Sequence, residues 1–85
     1  MLRLRQRRLA VRLARKYNEQ FDGDMEKVKD AIKGDESLVG IDPAMVILII
    51  QLILAVIKYF QDRKTSGVQM DDDEVLVAVG QGGGE

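Results

Sequence analysis

Pro43-Ala-Met-Val-Ile-Leu-Ile-Ile-Gln-Leu-Ile-Leu-Ala-Val-Ile-Lys-Tyr-Phe60 is the stretch whose reading decides the architecture of this chain. Gln51 and Lys58 are its only strongly polar residues. A helix that is apolar all round has to be surrounded by lipid or by other protein. At 1.5 Å per residue the stretch spans about 27 Å, close to the roughly 30 Å of a bilayer's hydrocarbon core. A membrane span and a helix buried in an oligomer or larger particle therefore both fit.

In the membrane reading, the many Met, Val, Ile, Leu and Phe residues offset the amide of Gln51. Tyr59 and Lys58 then sit at one interface, with Arg63 and Lys64 just beyond it. In the protein reading, Ala44, Leu48, Gln51, Ala55, Lys58 and Asp62 form a narrow stripe that is smaller or more polar than the rest. That stripe faces water or a packed symmetry mate. Ile47, Ile50, Gln51, Leu54 and Ile57 are the candidate contacts of either setting. An amide such as Gln51 in an apolar seam can fix register by bonding to its own copy. The charges flanking the helix give no orientation, because the nearer N-side is acidic while the far N-terminus and the C-side are basic.

Local chemistry favours a helix over a strand, despite seven β-branched residues between Val46 and Ile57. Asp42 is a candidate N-cap, Pro43 falls at the first helical position, and Ile41 with Val46 can staple the entry. The spacing predicts a helix from Pro43 to Lys64, with Arg63 and Lys64 suiting its C-terminal dipole and Gly67 as a stop.

Upstream, a helix is predicted from Leu2 to Gln20. Leu2, Leu9, Ala10, Leu13, Ala14, Tyr17 and Phe21 share one arc, and Arg5, Arg8, Arg12, Arg15 and Lys16 share the opposite one. Leu4 and Val11 fall on one border, and Arg3 and Arg7 interrupt the other. This helix has an electrostatic fault. Arg3, Arg5, Arg7 and Arg8 crowd the turns where the dipole prefers acids, and no Ser, Thr, Asp or Asn caps the start. An anionic partner would offset the repulsion. Arg3, Arg5, Arg7, Arg8, Arg12, Arg15 and Lys16 are accordingly the candidate polyanion-binding residues, suited to a nucleic-acid backbone without reading its sequence. Two further readings stand beside this: a helix lying on an anionic membrane with Leu9, Leu13 and Tyr17 inserted, or a solvated face paired with acids of neighbouring subunits.

A short helix is predicted from Asp24 to Lys33, capped by Asp22 or Asp24 and stopped at Gly34. Asp35 to Gly40 reads as a linker. The chain beyond Thr65 carries Asp71-Asp72-Asp73-Glu74, then Val75-Leu76-Val77-Ala78-Val79, then glycines. The acidic run can solubilise, bind a divalent cation, or meet arginines of a neighbour. The apolar run reads as a short strand for a neighbour's sheet edge, or as disorder. The expected fold is thus all-α: two short N-terminal helices and one long hydrophobic helix, with an extended or disordered C-terminal tail. Its segments are 1–21, basic and amphipathic; 22–42, short acidic helix and linker; 43–64, hydrophobic; and 65–85, acidic and glycine-rich.

Chemistry is scarce in these 85 residues. There is no histidine and no cysteine, which removes the usual neutral-pH base, the Ser-His-Asp arrangement, disulfides and thiolate metal sites. The Asp22 turn lacks the glycine and glutamate of an EF-hand, and no lysine follows the terminal glycines as a phosphate loop requires. The expectation is a non-enzyme with no cofactor and no small-molecule substrate.

The net charge of −1 conceals a strong asymmetry: residues 1–16 hold no acid, and residues 65–85 hold no base. No secretory signal is visible. The basic start shares features of a mitochondrial presequence but contains no serine, and a cleaved transit peptide is the lesser expectation. In general build the chain resembles small accessory proteins of viruses and phages, with a basic arm, one hydrophobic helix and a charged tail. That resemblance is one of genre; the apolar helix that the chain cannot cover and the arginine face with poor dipole chemistry give the leading expectation, a non-enzymatic structural or assembly protein, such as a virion component, in a homo-oligomer or larger assembly. The other expectation is a small membrane-active protein, a holin-like pore former or a membrane adaptor. Localisation follows the same division, membrane-associated or within a large particle.

Overall fold

The hydrophobic stretch forms a helix because its cap is complete and its flanks are polar. The structure is a computed structural model and describes residues 2–63 and 70–80. In it the chain forms helices α1 (Leu4–Phe21), α2 (Met25–Lys33), α3 (Pro43–Asp62) and α4 (Asp72–Ala78), with a 3-10 turn at Glu36–Leu38. The described residues contain no strand. At the start of α3 the Asp42 carboxylate accepts the Ala44 N–H at 2.8 Å, and Pro43 opens the helix without a donor to orphan. The helix ends at Asp62, and Arg63 is its C-cap. Lys64 and Gly67, expected at its end, lie outside the described residues.

One face of α3 supplies much of the core. Ile49, Ile53, Val56, Ile57 and Phe60 are fully buried there. The same core takes in Ala10, Val11, Leu13, Ala14 and Tyr17 of α1, Val28 and Ile32 of α2, and Val75 and Leu76 of α4. Helix α1 is the hub, packing most extensively on α3 and next on α4. This two-sided cover explains why its buried arc is wider than its own periodicity implies. Val11, at the border of the apolar arc, is fully buried, and Arg7 is only 7% exposed.

The opposite stripe of α3 faces solvent. Ala44, Leu48, Gln51, Ala55, Lys58 and Asp62 are all exposed, and Ile47 beside them is 58% exposed. About a third of the apolar window of α3 is buried within the chain. By length and composition α3 is long and apolar enough to cross a membrane, a property shared by core helices of soluble proteins.

The turns hold the helices in register. Asp24 caps α2 by accepting from Glu26 N–H at 3.1 Å and Lys27 N–H at 3.3 Å. Asp22 ends α1 in the left-handed region, and Gly23 follows at φ 79°. The Gln61 amide donates to the Gly23 carbonyl at 2.5 Å, so the C-terminal ends of α1 and α3 lie together. A side chain at Gly23 would collide with that amide.

Within the tail, the described residues 70–80 depart from the expected extended or disordered form; 65–69 and 81–85 lie outside the described residues. Residues 72–78 are helical, with Val75 and Leu76 fully buried. The cause is a reciprocal capping box: Asp71 accepts the Glu74 N–H at 2.9 Å, and Glu74 accepts the Asp71 N–H at 3.0 Å. Three acids in the first turn also suit the dipole. A seven-residue helix is not stable alone, and burial of Val75 and Leu76 supplies what propensity lacks.

The two faces of α3 predict unequal mutational costs. Phe60→Ala removes a fully buried ring and is expected to cost about 3–5 kcal/mol. Ile47→Ala, on the exposed side, is expected to cost about 0.5 kcal/mol. Urea titration followed by circular dichroism measures both, and equal losses would contradict this packing.

Candidate polyanion-binding face and its counter-ions

The basic residues of α1 divide into distinct environments. Arg3, Arg5, Arg8, Arg12 and Lys16 are exposed, Arg15 is half-buried, and Arg7 is buried. Arg5, Arg8, Arg12 and Arg15 recur at helical spacing and form one stripe about 15 Å long. Arg7 lies off this stripe on the packed side, so the surface open to a ligand excludes it.

The start of α1 keeps the fault read from its sequence. The Arg3 side chain offers no acceptor, and the first turn holds no acid. The Gln6 side chain accepts the Arg3 N–H at 3.0 Å, which satisfies one donor of the opening residues. The compensating charge comes instead from α4, alongside the stripe. Asp73 meets Arg8 with two parallel bonds, Nε to Oδ1 at 3.0 Å and Nη2 to Oδ2 at 2.9 Å. Arg15 pairs with Asp72 at 3.3 Å and donates to the Met70 carbonyl at 2.7 Å. The acidic run thus meets arginines within its own chain. The hydrogen bond with Arg8, with its charge, holds the Asp73 carboxyl below its ordinary range, and the same contact raises the Arg8 guanidinium.

A second polar cluster sits on the other side of α1. The Tyr17 hydroxyl donates to Asp35, Lys16 approaches the same carboxylate at 3.6 Å, and Asp35 accepts the Ser37 N–H at 2.8 Å. This ties α1 to the 3-10 turn and keeps the side chain of Asp35 only 5% exposed. Lys16, placed by sequence among the polyanion contacts, is therefore already engaged with an acid of its own chain. Burial acts to raise the Asp35 pKa, but the Tyr17 hydroxyl, Ser37 and Lys16 together hold it below its ordinary value. Burial first, then the Asp35 contact, push Tyr17 up to about 12.

The candidate contacts on α3 also separate. Ile57 is fully buried, Ile50 and Leu54 are half-buried against the core, and Ile47 and Gln51 face outward. Ile57 is therefore a core residue of this chain, and Ile47 and Gln51 are the ones open to another surface. Among the described residues, no group of three or more carboxylates is arranged to hold a metal ion. Sequence reasoning missed the pairing of α4 with α1. Its available signal was the Asp71/Glu74 capping box placed before an apolar run. Comparison with known family models, curated proteins and solved structures finds no match.

The Tyr17–Asp35 contact gives stability a defined pH dependence. An acid whose proton is held more tightly in the folded chain stabilises fully below its unfolded pKa and loses that contribution above it. For Tyr17 the loss runs from pH 10.0 to about 12. Asp35 has the opposite sign: its contribution is present above its ordinary 3.8 and is lost as pH falls through the depressed folded value. Tyr17→Phe should flatten the alkaline part of the curve of melting temperature against pH. An unchanged alkaline slope would contradict the contact.

Proposed function

We propose that this chain is a non-enzymatic structural or assembly protein, of the kind that builds a virion or another large particle. Its α3 helix seats against a second copy, and the arginine stripe of α1 engages a polyanion. The observation that carries the reading is the outer stripe of α3. Ala44, Ile47, Leu48, Gln51 and Ala55 lie exposed along a helix whose other face is core. Small residues in such a stripe permit close helix approach, and Gln51 can bond to its own copy. The exposed arginines with a poorly capped helix start support the anionic partner.

The second reading is a small membrane-active protein, a holin-like pore former or membrane adaptor, and the length and apolarity of α3 favour it. In that reading α3 leaves its packing on α1 and exchanges protein neighbours for lipid. The fully buried residues of α3 support the assembly reading over this one, because they already have protein partners.

Sedimentation velocity over a range of concentrations tests the assembly. The native chain is expected to self-associate, and Ile47→Lys on the outer stripe is expected to leave it monomeric with its helical content unchanged. A native chain that stays monomeric at every concentration would remove self-assembly through α3.

A further inference from the structure

The α1 stripe carries two kinds of arginine. Arg8 and Arg15 are held by Asp73 and Asp72 of α4. Arg12, which lies between them in sequence and on the same stripe, is exposed. Arg8 and Arg15 are seven residues apart, two helical turns or about 10 Å along the axis. The carboxylate of Asp73 presents two oxygens to the Arg8 fork, the geometry with which a guanidinium also grips a phosphate.

We infer that the acidic first turn of α4 stands in for a nucleic-acid backbone on this face, so that phosphodiester groups and α4 compete for Arg8 and Arg15. The inference rests on the polyanion reading above and adds a regulator to the same surface. Three observations carry it. The Arg8 and Asp73 side chains are 46% and 58% exposed, so even this two-bond pair is open to water and screened by salt. Exchange of partners at Arg8 therefore needs only side-chain rotation, while Val75 and Leu76 keep α4 anchored. A strand engaging Arg12 gains a phosphate contact at Arg8 when Asp73 yields, and a further one at Arg15, which keeps its bond to the Met70 carbonyl, when Asp72 yields. Finally, two of the three side chains that would insert into a lipid surface are turned inward: Leu13 and Tyr17 are each 4% exposed, and Leu9 is half-buried. That favours a nucleic-acid backbone over a lipid surface.

The test is fluorescence anisotropy with a labelled oligodeoxythymidylate across a salt series. It compares the native chain, Asp72→Asn/Asp73→Asn, and the charge-matched control Glu26→Gln/Asp30→Asn on α2. The first variant leaves the Asp71/Glu74 cap intact, and circular dichroism checks its helix content. Asp72→Asn/Asp73→Asn is expected to bind roughly tenfold tighter at low salt, with a salt slope steeper by about 1–2 as up to two arginines are released to phosphate. The control is expected to change by less than about twofold, from net charge alone. Native binding with a normal salt slope but no tightening in Asp72→Asn/Asp73→Asn would overturn the competition and leave the polyanion reading standing. Equal tightening in the control would also overturn it. No binding by the native chain or either variant would remove the polyanion reading and the competition with it. Tighter binding by the acid variant to phosphatidylglycerol vesicles than to the oligonucleotide would overturn the nucleic-acid assignment.

Discussion

The packing of α1 on α3 is the contact on which the rest of the structure depends. A twenty-residue apolar helix cannot stay exposed to water on every side, and α1 covers it with Ala10, Val11, Leu13, Ala14 and Tyr17. Ala10 and Ala14 are fully buried in the same core as the Ile and Phe side chains of α3. Each fully buried Ile or Phe contributes about 1.5–3 kcal/mol relative to exposure. Helix α2 closes one edge with Val28 and Ile32, and α4 covers α1 with Val75 and Leu76. An 85-residue chain has no further helix of comparable length among its described residues, so part of α3 stays uncovered. The uncovered part is the stripe with the least apolar area, which is where exposure costs least.

Charge follows from the same arrangement. Once the apolar arc of α1 turns toward α3, its arginines must face out or meet acids. The acids arrive on α4, whose first turn needs negative charge for its own dipole. One set of carboxylates thus stabilises the start of α4 and neutralises two arginines of α1. The net charge of −1 is the sum of these two opposed ends, which the fold brings side by side. In the proposed function this juxtaposition becomes a contest between the chain's own carboxylates and an external polyanion.

Much of the helical content was legible in the sequence. The Asp42-Pro43 entry, the Asp24 cap and the Gly34 stop each specify their boundary by local chemistry. The solvent stripe of α3 was legible because Gln51, Lys58 and Asp62 mark it at helical spacing. Helix α4 was not, because five consecutive apolar residues from Val75 to Val79 hide any period, and valines favour strands. Its state is decided by a cap at one end and by tertiary burial on α1, and only the cap is local. The burial of Arg7 was illegible for the same reason, since α1 is covered from two directions and a single wheel has one apolar arc. Nor does α3 alone disclose its surroundings, as lipid and a protein core ask for the same side chains.

Vesicle flotation followed by an alkaline carbonate wash tests most directly whether the apolar surface of α3 is covered by protein. The native chain, prepared without detergent, is expected to remain in the dense fraction away from the vesicles, with its helices intact. Protein that floats with the vesicles and survives the wash would show α3 inserted in lipid, and would contradict its packing on α1.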